Sequence, residues 1–490
     1  VTEASTNQYT RAGLEHIALR EFTMTIDGQA ASSGEWFDVI NPATGQVLTR
    51  APRCSEEQRD RAVEAAHRAF DHWRTDASFR RERLLAIADV LSANAEALGA
   101  VMTAEQGKPL PESIADAHRS ADWFRYFADL DTSATVIQDD ADGFVEVVRK
   151  PLGVVVGIIP WNSPLLLIAW KTAPALLAGN TIVIKPSSYT PLTALLVGEI
   201  LRPLLPAGVF NIVSGKEPLG SQLLVHPLVR KVSFTGSTEV GKEVAQNAAA
   251  DLKRVTLELG GNDAAIVLDD ASPDEFARDL FWAAFKNNGQ MCALIKRLYV
   301  PEAQRAEYVE ALAAVAREVR IGDGMTEGVQ LGPLTTRAQL KSVRDLASYS
   351  ISAGAKAATG GKPLEGPGYF FEPTILTGVT DGDRIVDEEQ FGPILPVIGY
   401  SDIEDVLWRA NNSMYGLGGS VWGVDTDRAR VVAAQLESGQ ASVNHHTRGI
   451  LPNLPFGGFK WSGLGVENGI WGLDAFSQVQ TLAGPARKTV

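Results

Sequence analysis

Alternating strand and helix patterns predict an α/β protein built on a parallel, doubly wound sheet. Two observations carry that prediction. From Val154 to Leu259, short runs rich in valine and isoleucine alternate with segments of helical spacing. A second cycle begins near Ala264 and continues through Leu298-Tyr299-Val300 and Pro396-Val397-Ile398, predicting a second α/β domain.

The elements are expected as follows. Ser55-Glu56-Glu57-Gln58 reads as a capping box, and Val63, Ala66, Phe70 and Trp73 follow at helical spacing. A second helix is expected from about Arg80 to a stop before Gly107-Lys108-Pro109. Val154 to Val156 with Ile158-Ile159 reads as a buried strand. The helix after Pro164 ends near Gly179-Asn180, and Thr181 to Lys185 is the next strand. Helices are then expected over Pro191 to Leu205, Pro218 to Val225 and Thr238 to Ala249. Strands are expected over Val209 to Val213, Lys231 to Phe234 and Val255 to Leu259. A later helix runs from about Glu302 to Val319. Thr132 to Gln138 and Phe144 to Arg149 flank Asp139-Asp140-Ala141-Asp142-Gly143, a hairpin excursion that needs something to pack on.

Composition excludes several function classes. The chain has 490 residues, 45% of them hydrophobic, with a formal net charge of -14. Such an acidic chain suits neither nucleic acid nor an anionic membrane, both of which attract an excess of lysine and arginine. The longest apolar stretch, near Leu152 to Trp161, is too short to span a bilayer. Val1 to Arg20 shows no apolar signal core, and only two cysteines, Cys54 and Cys292, are present. A cytoplasmic, reducing location is therefore expected. No HExxH or CxxC spacing appears, so no metal is expected. GxGxxG after a strand, GxxxxGK[ST] and GxSxG are also absent; Gly463-Leu464-Gly465 is a near match in a late glycine-rich loop.

The chemistry centres on Phe285-Lys286-Asn287-Asn288-Gly289-Gln290-Met291-Cys292. Taken alone, a free cysteine is more often a small buried hydrophobe than a nucleophile. Its company decides. Pro160-Trp161-Asn162, Lys185-Pro186-Ser187-Ser188, Phe234-Thr235-Gly236-Ser237, Glu258-Leu259-Gly260-Gly261, Gly289 to Cys292, Glu389-Gln390-Phe391-Gly392-Pro393 and Pro455 to Lys460 stand in that order. In this the chain resembles the NAD(P)-dependent aldehyde dehydrogenase superfamily, from about Phe22 to Gln480.

The resemblance implies an aldehyde dehydrogenase-like fold. Residues 1–131 and 152–259 would form the nucleotide-binding domain and residues 260–470 the catalytic domain. Residues 132–151 and 471–490 would form a β arm that assembles a homodimer or homotetramer. It implies oxidation of an aldehyde to a carboxylic acid with NAD or NADP. Cys292 would attack the aldehyde carbon, and Asn162 with the Cys292 backbone N–H would hold the resulting oxyanion. Glu258 would activate the water that hydrolyses the thioester. CoA-acylating relatives generally lack that base, so Glu258 argues for a free acid as product.

For the cofactor, the resemblance places Lys185 on the adenosine ribose or its phosphate, at a strand's carboxyl end. Ser237 opens the helix whose free N–H groups favour pyrophosphate. Val240 would lie against the adenine, Ile159 and Trp161 near the ribose, and Glu389 and Phe391 at the nicotinamide ribose and ring. Many NAD-preferring members carry glutamate where this chain has Ser188, which implies that NADP is accepted. Ser163, Leu166, Leu167, Trp170, Met291, Ala293 and Phe456 would line the aldehyde pocket, with the His445-His446-Thr447-Arg448 loop near its mouth. Each apolar member is, by itself, equally an ordinary core residue. Val466 departs from a charged family position, and the sequence offers no account of it.

Overall fold

The computed structural model describes residues 17–446, 448 and 450–487. Most of Val1 to Arg20, and Thr447 of the mouth loop, lie outside the described residues.

The eight-stranded sheet is built around a run of parallel strands. Val154–Ile158 lies at its centre, with Thr181–Lys185 and Phe210–Ile212 to one side and Val229–Thr235 and Arg254–Glu258 to the other. All but Arg254–Glu258, whose first two residues are exposed or half-buried, are almost wholly buried, because helices cover both faces of the sheet. The chain turns back across the central strand after Phe210–Ile212. This leaves a topological switch point between Val154–Ile158 and Val229–Thr235. Ligand crevices form at such a point, outside the carboxyl ends of the strands.

A seven-stranded sheet follows, with parallel pairing from Thr374–Thr377 through Gln440–Val443 and one antiparallel edge at Lys356–Thr359. The two sheets meet end to end. Glu258 closes a strand of the first, and Asp263 opens a strand of the second after a short glycine-containing link. The crevice therefore lies between carboxyl ends of one sheet and amino ends of the other.

The expected hairpin is Thr135–Asp140 with Gly143–Pro151. It packs antiparallel against Ser477–Gly484 in a three-stranded sheet. Val136, Ile137, Val479 and Leu482 on it are exposed.

Several elements differ from the sequence expectation. The single helix expected from Arg80 is two, Ala77–Ala93 and Ala95–Gln106, bent by 68°. Asn94 sits at the bend and its side chain donates to the Val90 carbonyl at 2.8 Å. Asparagine competes in this way with the helix's own hydrogen bonds. A further helix, Leu110–Asp129, was not anticipated. Nor were the antiparallel strands Met24–Ile26, Gln29–Ala31, Trp36–Asn41 and Gln46–Pro52. The first pair turns at Asp27-Gly28, both at positive φ (55° and 70°), as a two-residue hairpin loop requires. The helix expected over Pro191 to Leu205 is shorter, Leu192–Leu201. Its free N–H groups are capped from a distance. Glu105 accepts from the Leu192 and Thr193 backbones at 2.7 and 2.8 Å. Among the described residues no single helix is long and apolar enough to cross a membrane.

Candidate active site

Cys292 follows a short 3-10 turn, Lys286–Gly289, and precedes the strand Ile295–Pro301. Asn287 and Asn288 adopt left-handed conformations, φ 50° and 56°. Asparagine tolerates these better than most residues. Gly289 is required: it also has positive φ, and a Cβ there would collide with the Gly392 carbonyl. The turn is pinned on every side. Asn287 Nδ2 donates to the Asn162 carbonyl at 3.1 Å, and Gln106 Nε2 to Asn287 Oδ1 at 3.1 Å. Gln290 Oε1 accepts from Thr335 N at 2.9 Å, and Lys296 Nζ donates to the Gly289 carbonyl at 2.7 Å. The sequence Lys286 to Gln290 thus holds the thiol on a rigid loop.

Asn162 lies beyond the carboxyl end of Val154–Ile158. Its amide donates one hydrogen bond to the Gln290 carbonyl at 3.0 Å. An amide nitrogen has a second N–H, which remains available to a ligand beside Cys292.

The thiol of Cys292 is half-buried, and burial pushes it up to about 12. The carboxylates Glu258, Glu389 and Asp263 push it the same way. Glu258 is buried at the end of its strand, and neither carboxylate oxygen has a protein hydrogen-bond partner. Burial and the nearby Glu467 carboxylate hold Glu258 well above the usual carboxylate range, against the pull of Lys171. Lys171 and Glu467 form a fully buried ion pair at 2.6 Å, satisfied further by Ser233 and Thr235. Buried polar atoms are ordinarily paired. The orphaned Glu258 oxygens therefore fit a water or substrate position.

A cleft of about 250 Å³ opens at the switch point. It is lined by Trp161, Asn162, Leu167, Ser237, Cys292, Glu389 and Phe391 among the expected site residues. Trp161 and Phe391 meet edge to face at 5.3 Å between centroids. Glu389 accepts from Gly261 N at 3.3 Å. Burial pushes its carboxyl up to about 7, with Lys296 opposing. Ser237 caps the helix Thr238–Ala249 by accepting from Val240 N at 3.3 Å, and Val240 is exposed on that first turn.

Glu258 adjoins the lining residue Leu259 without lining the cleft itself, and the remaining expected residues do not line it either. Lys185 ends Thr181–Lys185 and is buried, its Nζ 4.0 Å from Glu217. Burial lowers its ammonium pKa, and Glu217 opposes that shift. Ile159 N donates to the Lys185 carbonyl at 3.0 Å, and Ser188 is half-buried in the turn that follows. Ser163, Leu166 and Trp170 are buried at the amino end of Pro164–Ala178. Trp170 stacks on Trp123 at 5.7 Å and meets Phe456 edge-on at 5.1 Å. Met291 is half-buried and Ala293 buried, on either side of Cys292. In the mouth segment, His446 is held by Asp263 and Ser420, while Arg448 is exposed. Val466 lies against Gly457, and nothing in the structure explains its replacement of a charge.

Sequence reasoning missed Gln339, which lines the cleft and donates to the Phe391 carbonyl at 2.9 Å. Thr336-x-x-Gln339 is a capping-box spacing that marks the start of its helix, Arg337–Ser352. It also missed the Lys171–Glu467 pair and Lys296, for which no local pattern exists.

A ligand crevice at the carboxyl ends of parallel strands, lined in part by a thiol on a rigid loop, defines an α/β protein with a candidate nucleophile in its ligand site. Residues 29–482 match the aldehyde dehydrogenase family. The chain is 40% identical over 479 residues to a phenylacetaldehyde dehydrogenase of Pseudomonas fluorescens, covering 94% of this chain and 95% of that protein. It is 37% identical over 458 residues to the NADP(+) succinate-semialdehyde dehydrogenase of Escherichia coli, covering 92% and 94%. The NAD+ complex of an aldehyde dehydrogenase from Bacillus cereus superposes with a TM-score of 0.94 at 34% identity, covering 97% of this chain and 99% of that one. The chain belongs to the aldehyde dehydrogenase family. It oxidises an aldehyde to a carboxylic acid with NAD or NADP as hydride acceptor.

Proposed function

We propose that Cys292, Asn162 and Glu258 carry this reaction. The observation that supports it best is a half-buried thiol lining the cleft and close enough to feel the charge of a buried carboxylate, Glu258, whose oxygens are orphaned. Bound in the cleft, NAD or NADP supplies the hydride acceptor. Cys292 Sγ attacks the aldehyde carbon as its proton passes to Glu258, forming a thiohemiacetal oxyanion. The free N–H of the Asn162 amide and the Cys292 backbone N–H stabilise the oxyanion. Hydride loss leaves a thioester on Sγ. Glu258, having released the thiol proton to solvent, takes a proton from water, which attacks the thioester carbon; returning that proton to Sγ as the C–S bond breaks releases the acid and the thiol. Glu389 and Gln339, with the Phe391 ring, position the nicotinamide end. Lys185, Ser188, Ser237 and Val240 hold the adenosine end, with Ile159 and Trp161 between.

Asn162→Ala is expected to lower kcat by about 10²–10³, the usual effect of removing one oxyanion donor. Single-turnover hydride transfer, followed as reduced-nicotinamide absorbance, checks it; a change only in KM would move Asn162 to a binding role.

The substrate we favour is an aromatic or apolar aldehyde. Trp170, Trp123 and Phe456 form a buried aromatic cluster, with Trp170 on the same helix as the cleft residue Leu167, and Arg448 is exposed rather than directed into a buried site. A relative acting on phenylacetaldehyde agrees with this. A panel of aromatic, aliphatic and semialdehyde substrates, each with NAD and NADP and without CoA, tests the whole reading. Turnover without CoA, highest kcat/KM for an aromatic aldehyde, is expected. A strict CoA requirement would overturn the hydrolytic step, and a preference for semialdehydes would overturn the substrate class.

The proposed division into a nucleotide-binding unit (1–131 and 152–259), a catalytic unit (260–470) and an arm (132–151 and 471–490) draws support from the two large sheets and the small one, while Gly463–Leu464, inside the 260–470 range, pairs into the first sheet. The exposed apolar residues of the arm favour a homo-oligomer, dimer or tetramer, and the paucity of cysteines favours the cytoplasm.

A further inference from the structure

We propose that Glu217 sets the cofactor preference of this chain toward NAD, supplying from a neighbouring strand the carboxylate that position 188 lacks. The inference rests on the reading that places the adenosine ribose at Lys185.

Thr181–Lys185 and Phe210–Ile212 are adjacent parallel strands. Lys185 closes the first, and Glu217 lies shortly past the carboxyl end of the second. Both side chains thus reach the same crevice. Lys185 Nζ stands 4.0 Å from Glu217 Oε1, with the lysine side chain 9% exposed and the glutamate 69% exposed. The carboxylate therefore covers the ammonium from the solvent side, where an adenosine ribose would enter.

Local contacts hold it there. Ser221 Oγ lies 3.4 Å from Glu217 Oε2, its shorter hydrogen bond going to the Pro218 carbonyl at 2.9 Å. A Cβ on Gly220 would fall 2.7 Å from Glu217 Oε1, so glycine at 220 leaves room for the carboxylate. The neighbouring cation, Lys216, points elsewhere: its Nζ lies 5.8 Å over the Phe37 ring.

The chemistry follows from charge. A ribose diol donates to a carboxylate and accepts from an ammonium, so the Lys185–Glu217 pair matches both of its hydroxyls. In dinucleotide folds a carboxylate near the end of a neighbouring strand takes the 2′-hydroxyl in this way and selects NAD. A 2′-phosphate meets the Glu217 charge instead. The attraction it would gain from Lys185 is already neutralised. Ser188 removes one source of repulsion, and Glu217 restores it from the other side of the lysine.

The test uses the cofactor-free protein and isothermal titration calorimetry. The probes are AMP and adenosine 2′,5′-bisphosphate, which differ only in the 2′-phosphate. The wild type is expected to bind AMP more tightly. Glu217→Gln is expected to tighten the bisphosphate roughly tenfold and to change AMP less than about threefold, as expected for one partly screened charge. Raised salt should narrow the wild-type preference. A wild type that favours the bisphosphate, or a ratio unmoved by Glu217→Gln, overturns the proposal. Lys185→Met separates this from the reading beneath it. If Lys185→Met weakens both probes while Glu217→Gln leaves their ratio alone, only the role of Glu217 falls. If Lys185→Met weakens neither, the ribose is not at Lys185.

Discussion

Cys292→Ala is expected to abolish aldehyde oxidation, lowering kcat/KM by at least about 10⁴, the scale seen when a covalent nucleophile is removed. Cys54→Ala serves as the control and should leave turnover unchanged. Cys54 Sγ donates to the Ser55 carbonyl at 3.3 Å, and Cys54 N to the Ser214 carbonyl at 2.8 Å, far along the chain from the cleft. Burial pushes both thiols up to about 12. A group with so high a pKa is protonated at neutral pH, and its thiolate fraction grows about tenfold per pH unit below that value. Alkylation of Cys292 by iodoacetamide in the cofactor-free protein should therefore be slow at pH 7 and rise steeply toward pH 10. A plateau near pH 7 would show a thiolate already formed. Retention of full dehydrogenase activity in Cys292→Ala would end the covalent mechanism altogether.

The parts of the site that the sequence made legible are those carried by short, contiguous segments. Asn162, Cys292 and Glu389 lie in short segments next to a strand end and Glu258 is a strand's last residue, and it is the family motifs on these segments that single them out. There the glycines and prolines mark the boundary and the strand's apolar run fixes the direction. The central parallel strands were legible for the same reason, since burial on both faces leaves an unbroken apolar run. What was missed is non-local or weakly patterned. The N-terminal strands are short and, Met24–Ile26 apart, partly exposed, although Asp27-Gly28 is a recognisable hairpin turn. The break at Asn94 sits inside a continuous helical pattern, because asparagine there costs little and leaves the apolar spacing intact. Lys171 and Glu467 meet from far-apart segments, and no pattern near either residue announces the other. The same holds for Lys185 and Glu217, a pair that the serine at 188 does not announce. Electrostatics of a site is a property of the folded neighbourhood. A motif supplies only the residues on one strand of it.

Glu258→Gln is the companion test, and it separates the two halves of the reaction. If Glu258 activates the hydrolytic water, the variant still forms the thioester but cannot release it. A rapid-mixing trace should show a slowed burst of reduced nicotinamide, close to a single equivalent per subunit, followed by steady-state turnover reduced about 10²–10⁴-fold. The wild-type pH profile carries the same signature. A general base works only when deprotonated, so base-limited turnover rises as pH climbs through its pKa and is lost below it. Burial and the Glu467 carboxylate raise that pKa well above the carboxylate range, and Lys171 lowers it. The acid limb of kcat should therefore lie well above pH 4.5. It should disappear from the residual activity of Glu258→Gln, because an amide does not titrate. Glu389 complicates any assignment made from the limb alone, since burial also moves its carboxyl up to about 7. The distinction comes from Glu389→Gln. Placed at the nicotinamide end, it should slow hydride transfer and suppress the burst, whereas Glu258→Gln preserves the burst amplitude and stalls after it. A Glu258→Gln enzyme that turns over at the wild-type rate would leave the orphaned carboxylate without a chemical purpose and require another base for the water.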